Sequence, residues 1–345
     1  MGSNRIEYIS LASVVSAIAV IYLHANGCFW TFSTSRYWFT ANIIESVFYF
    51  AVPIFFMISG AMLIGFTDRY DLKTYFSKRI HKTFIPFIVW SFLGLSFEIF
   101  YLHSVKISKV DLTYIINGLV QGNLVQIYWF FIPLFCAYLA IPLFSLVPED
   151  KRKEIFTYLT TLAFVLNILI PFIISVFNLK IHWGISIAVS SGFLFYTLTG
   201  YLLHKYDLNK KYRLILYTLA IIGLLMHIIG TYTLSMNAGE IVKTYKGYNN
   251  LPCVLYSLGV FVFIKYDLVK IMKFDWIGRT VNYLNYYTFG IYLIHWYLLK
   301  IILNVSHISR FSIAFRLLAP IAVLIVSVGI IWILRKIPIV KEIVP

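Results

Sequence analysis

The chain has 345 residues, 60% of them hydrophobic and only 12% charged, and a formal net charge of +15. That is far more apolar sequence than one soluble core can hide, so a soluble globular protein is excluded and a polytopic membrane protein is expected. The positive charge, which in a soluble chain would suggest nucleic acid, falls in short segments between apolar spans, where Lys and Arg set orientation.

The first apolar stretch, Tyr8 to Asn26, spans about 28 Å as a helix, the thickness of a bilayer's hydrocarbon. It is too long for the apolar region of a signal peptide and no small-residue cleavage pattern follows, so it is expected to stay in the membrane. Ser10, Ser13, Ala17 and His24 share one helical face. Small residues on that stripe let another helix approach and turn His24 into the bundle; a snorkelling histidine is the alternative.

Ten spans are predicted, giving an all-α polytopic membrane bundle: 8–26, 40–66, 83–104, 127–147, 154–178, 185–204, 213–235, 250–265, 284–303 and 313–334. The eighth is short and opens Asn249-Asn250-Leu251-Pro252. On one side of these spans lie 20 of the 29 Lys and Arg residues, including Arg5, Lys78, Arg79 and Lys82; the other side keeps Lys246, Lys300, Arg310 and Arg316 among its nine. The bias predicts a cell-membrane protein with both termini cytoplasmic. In the long outer loop 105–126, residues 112–120 are expected to lie on the membrane surface as a short amphipathic helix or partly to re-enter. Trp30, Trp38, Trp129 and Trp183 at span ends read as interface anchors. Cys28, Cys136 and Cys253 have no metal-ligand spacing, and a Cys28–Cys253 disulfide is left open. No span repeats another and no soluble domain is appended, so residues 1–345 are read as one membrane domain.

Chemistry is expected where ionisable groups enter apolar spans, since each costs at least a few kcal/mol unless partnered or solvated. His24, Glu45, Glu98, His103, His227 and His295 all fall in the outer half of their spans, which predicts a water-accessible cavity open to the outer face. Glu98 and His103 have local polar contacts near the headgroups as their alternative. His24 and Glu45, at matching depth on adjacent helices, are expected to pair.

Several segments carry a resemblance. Arg5-Ile6-Glu7-Tyr8-Ile9 leading to Leu23-His24, the run from Ala51-Val52-Pro53 to Ser59-Gly60, Lys78-Arg79-Ile80-His81-Lys82 before Ile85-Pro86-Phe87-Ile88-Val89-Trp90, Trp129-Phe130 with Tyr138 to Pro142, and Phe289-Gly290-Ile291-Tyr292-Leu293-Ile294-His295 resemble the acyltransferase family 3 membrane proteins, in the family's order. The resemblance implies a membrane O-acyltransferase that moves an acyl group, usually acetyl, from cytoplasmic acetyl-CoA or another acyl-CoA to a hydroxyl of a surface glycan or its lipid-linked precursor. It implies His24 as the catalytic histidine and no bound cofactor. Two positions depart from the family pattern: the acidic and basic residues usual earlier in the first span are Ser10 and Ser13, and an arginine usual before the Val-Pro of span 2 is Tyr49.

In that setting His24 can remove the proton of an acceptor hydroxyl attacking a thioester, with Glu45 fixing its tautomer and stabilising imidazolium. Arg79, His81 and Lys82 are candidates for the CoA phosphates, ordinary orientation charges being the alternative. His295 either holds acceptor or thioester or satisfies a neighbouring helix, and Trp129 and Tyr292, inside the resembling motifs, complete the substrate-binding candidates. Membrane lipids are the remaining expected partner. A glycan exporter built on the same fold is the rival reading; Pro53, Pro86, Pro133, Pro142, Pro171 and Pro252 interrupt spans, but no matching halves of the kind transporters show are found.

Overall fold

The apolar runs become helices because a backbone in hydrocarbon must satisfy its own hydrogen bonds. The computed structural model describes residues 6–338 and 340–345; Arg5, tallied above with one side's basic residues, lies outside the described residues. Among these residues there is no strand, and nine helices are long and apolar enough to cross a bilayer. They are α1 (Glu7–Ala25), α2 (Arg36–Asp68), α3 (Leu72–Phe100), α5 (Gln126–Ser145), α6 (Glu149–Val176), α8 (Lys210–Ala238), α9 (Leu251–Lys273), α11 (Thr288–Ser306) and α12 (Ile313–Leu334). Two shorter helices lie outside the spans, α4 (Leu112–Gln121) and α10 (Asp275–Asn285), and a third, α7 (Phe193–Lys205), supplies the remaining pass.

The sixth expected span is the one the structure shortens. Residues 185–192 do not join the helix; α7 starts at Phe193, after Gly192 at φ +58°. Its 13 residues reach only about 20 Å. The preceding irregular chain is tied to α6 by side chains: Asn167 donates to the Ile187 carbonyl at 3.0 Å and accepts from its amide at 2.9 Å, the Trp183 indole donates to the Leu166 carbonyl at 2.9 Å, and Ser190 donates to that of Leu159 at 3.0 Å. Non-helical backbone beside membrane helices is tolerated where its polar groups are met in this way. At its other end α7 delivers Lys205 to Glu149 at 2.6 Å and His204 to the Tyr8 hydroxyl at 2.5 Å, so it finishes level with the start of α1. Ten passes therefore return both ends of the chain to one side, called here the terminus-bearing side.

Two glycines let α7 lie directly on α2. A Cβ at Gly60 would run into the Thr197 carbonyl, and one at Gly200 into the backbone of Met57. Three spans carry a π-helical turn, at Ile80–Phe84, Phe164–Leu169 and Met226–Gly230. Pro86 and Pro171 explain the first two: each lacks the N–H owed to the carbonyl four residues back, at Lys82 and Asn167, and the turn widens there.

The segment 112–120 is the helix α4. Asp111 caps it by accepting from the Tyr114 amide at 2.7 Å, Gly122 at φ +65° ends it, and Leu112, Ile116 and Val120 stay exposed on one side, as suits a helix lying along a bilayer surface. One open possibility closes and one expectation fails. Cys28 and Cys253 are free and buried in separate clusters, and Trp38 is no interface anchor but a fully buried ring stacked on Phe29, its indole N–H donating to the Phe29 carbonyl at 2.9 Å.

Candidate active site

Three adjoining cavities run through the bundle, each sharing walls with the next. On the terminus-bearing side a cavity of about 180 Å³ is lined by Ser13, Ser59, Thr83, Tyr138 and Thr288 and ends at Phe55, Phe130 and Tyr292. Those three aromatics also close the central cavity, about 260 Å³, whose wall holds His24, Glu45, Tyr49, Trp129 and Tyr248. Beyond it, Leu23, His24, Trp30 and Trp129 are shared with a far-side vestibule of about 490 Å³. His24 thus stands where the central cavity meets the vestibule. It is the penultimate residue of α1.

His24 is half-buried, and its ring makes no hydrogen bond to the described residues. Beside it lies His295, ring centroids 5.2 Å apart. His295 is fully buried. Its Nδ1 faces the carbonyls of Tyr292 at 2.7 Å and Ile291 at 3.2 Å, both acceptors only, so Nδ1 carries the proton. Nε2 is left without a protein partner and, in the neutral ring, bears a lone pair. Tyr292, one helical turn earlier, gives its hydroxyl to the Ile127 carbonyl at 2.7 Å and contributes a ring face rather than a proton to the cavity. Trp129, expected at an interface or on substrate, lines both cavities and stacks on Tyr248 at 5.6 Å.

Glu45 lines the same cavity as His24, and its oxygens are taken by other groups. Lys246 Nζ lies 2.9 Å from Oε1, and the Asn26 amide donates to Oε2 at 3.5 Å. The ion pair is almost wholly buried, with side chains 1% and 5% exposed. Burial pushes the Lys246 ammonium below its ordinary range while Glu45 pulls the other way. Asn26 passes the network to Arg316, which is 1% exposed and donates to Asn26 Oδ1 at 3.4 Å, Thr40 Oγ1 at 2.9 Å and the carbonyls of Tyr37 and Phe311, each at 3.3 Å. Lys246 Nζ also sits 3.8 Å from the Tyr49 ring centroid. A cation therefore stands against the position where the family pattern has an arginine, supplied from another part of the chain.

On the terminus-bearing side Arg79 spreads over the rings of Tyr75 and Tyr138, 5.9 and 5.4 Å from their centroids. Tyr138 is itself a wall of the inner cavity, so Arg79 lies against the outer side of that wall. Lys82 and His81 are exposed within the π-helical turn, His81 Nδ1 lying 2.8 Å from the Ser77 carbonyl. The two serines that replace charges in α1 are held by neutral partners: Asn285 donates to Ser10 Oγ at 3.2 Å, and Ser13 and Thr288 hydroxyls lie 3.4 Å apart.

The six ionisable groups of the outer half separate into two sets. His24 and Glu45 line the central cavity, His295 packs behind it against His24, and His227 packs edge-on against Tyr49 at 5.0 Å, with both ring nitrogens buried and without a partner among the described residues. Glu98 and His103 stand apart; Glu98 accepts from the Ser104 hydroxyl, and His103, at φ +52°, turns the chain after α3. Lys246 and Arg316 were tallied only as charges of the outer side. Arg316 lies inside the predicted span 313–334, so the criterion that selected His24 and Glu45 also selects it; nothing local marks Lys246, whose carboxylate is 201 residues away.

An all-α bundle of apolar spans with adjoining cavities, His24 standing where two of them meet and His295 beside it, defines the class: an integral membrane protein. The family follows from comparison. The model described as an acyltransferase domain matches residues 6–336, and the chain belongs to acyltransferase family 3. It is a multi-pass membrane acyltransferase. No curated protein and no solved structure gives a match.

Proposed function

We propose that the protein is an O-acyltransferase of the cell membrane, with cytoplasmic termini, that carries an acetyl group from acetyl-CoA at the terminus-bearing face to a hydroxyl of a surface polysaccharide or lipid-linked glycan at the far face. The observation that carries this reading is the line of three cavities with His24 at the junction of the last two. A CoA nucleotide is a bulky polyanion that cannot enter hydrocarbon, so it stays at the inner mouth, where Arg79 and Lys82 receive its phosphates. Its thioester arm follows the inner cavity past Ser13 toward the aromatic constriction.

In the reaction His24 takes the acceptor's hydroxyl proton as the oxygen bonds to the thioester carbonyl carbon. The tetrahedral intermediate collapses with cleavage of the C–S bond, and the departing sulfur takes the proton back from His24, leaving an O-acyl ester and free CoA. His295, with its proton committed to a backbone carbonyl, offers Nε2 to an N–H of His24 and so aims the other His24 nitrogen at the acceptor. Glu45 acts at one remove: with Lys246 it holds the cavity wall and biases the field around the imidazolium. Tyr292 and Trp129 shape the cavity.

The test is transfer of label from radiolabelled acetyl-CoA to membrane glycolipids by the purified protein in vesicles. His24→Ala should lower transfer by about 10²–10⁴ with normal expression. Undiminished transfer in that variant would remove His24 from the chemistry, and label that moves to no glycan in the wild type would sink the acetyl-to-glycan reading.

A further inference from the structure

The far-side vestibule has a charge pattern that bears on what it admits. Lys300 and Arg310 line it, and no Asp or Glu does. Among the described residues neither cation is in an ion pair. Glu98, which accepts from the Ser104 hydroxyl, forms no ion pair with Lys300. Three indoles share the same walls, Trp30, Trp129 and Trp296, with Lys300 Nζ 5.5 Å from the Trp296 ring and Lys243 Nζ 5.4 Å from that of Trp30 at the rim. Arg316, behind this wall, is a second buried cation against a single buried carboxylate, Glu45, which Lys246 already neutralises.

Lys300 is half-buried and Arg310 exposed, and a concave surface lined by charge of one sign raises the local concentration of anions, with which charge-assisted contacts to carboxylate or phosphate are the strong ones. Indole faces supply broad apolar area, which suits the C–H face of a pyranose ring. A neutral sugar has use for the indoles and none for the charges. We propose that the acceptor is an acidic glycan, carrying a carboxylate or a phosphodiester close to the hydroxyl that is acylated, and that Lys300 and Arg310 bind this anion. The inference rests on the vestibule being the acceptor's entrance, and it names the acceptor's class.

Direct binding tests it without requiring turnover. Oligogalacturonate, a glycerol-phosphate oligomer and maltohexaose are titrated against the full-length protein in nanodiscs, with and without added salt. One of the two acidic probes should bind more tightly than maltohexaose, which one distinguishing carboxylate from phosphate, and its affinity should fall as salt rises. The double variant Lys300→Gln/Arg310→Gln should bind that probe at least about tenfold more weakly. The charge-keeping Lys300→Arg/Arg310→Lys should retain most of the affinity, which separates lost charge from lost folding. Equal affinity for maltohexaose and both acidic probes, or an unchanged affinity in the Gln variant, would overturn the proposal. Charge-dependent binding in a protein that transfers label to no glycan would leave the anion-binding site standing and remove the bound glycan's part as acetyl acceptor.

Discussion

At Glu45 and Lys246 the bundle buries two opposite charges whose fates are tied, because either alone would sit uncompensated in a cavity wall. Breaking such a pair on one side costs about 3–5 kcal/mol, while replacing both partners with apolar groups is often close to neutral. Lys246→Met is therefore expected to lower the unfolding temperature of the detergent-solubilised protein sharply, and Glu45→Leu/Lys246→Met to recover most of the loss; two single variants whose effects simply added would show that the ions are not coupled. The same pair marks what could be read from residues alone. His24, Glu45 and His295 were legible because a titratable group in an apolar span demands a reason; the first two line one cavity and the third packs against His24. The partners were not: Glu45 suggests an imidazole by depth, and only the fold reveals a lysine from the segment before α9 closer than any histidine. Arg316 met the criterion and was obscured by its place three residues into the last span, where it resembles a loop charge.

The elements differ in how plainly the chain announces them. Nine spans follow from length and hydropathy, the kinks in α3 and α6 from their prolines, and the surface helix α4 from its one-sided apolar pattern. The short α7 does not, since residues 185–192 are apolar enough to pass for the start of a span, while the side chains of Asn167, Trp183 and Ser190 tie this stretch to α6 through contacts that no local pattern encodes. Its packing on α2 depends on bare backbone at the crossing. Gly200→Val would push a branched side chain against the Met57 backbone, which cannot yield as a side-chain tip can. Overpacking of this kind typically costs about 1–3 kcal/mol, and a backbone contact belongs at the upper end. Size-exclusion profiles and melting curves should show a destabilised bundle for Gly200→Val and a near-normal one for Gly184→Val, where a Cβ meets nothing.

For the molecule as a whole, sidedness decides which substrate meets which cavity. In the orientation proposed from the basic bias, Lys78 lies on the cytoplasmic face together with Arg79. A single cysteine replacing Lys78, in a background without Cys28, Cys136 and Cys253, should resist an impermeant maleimide applied to intact cells and react after lysis; ready labelling from outside would invert the bundle and exchange the donor and acceptor mouths. One feature of the cavities then acquires a second duty. Phe55, Phe130 and Tyr292 separate the inner cavity from the central one, with Phe130 6.0 Å from Phe55 and 5.5 Å from Tyr292 by ring centroids. An enzyme hollow from both faces is a short-circuit in an energised membrane unless something seals it, and these three rings are its insulation. Phe130→Ala should accordingly raise the proton conductance of proteoliposomes under an imposed voltage, and dissipation no faster than with wild-type protein would show that the seal lies elsewhere.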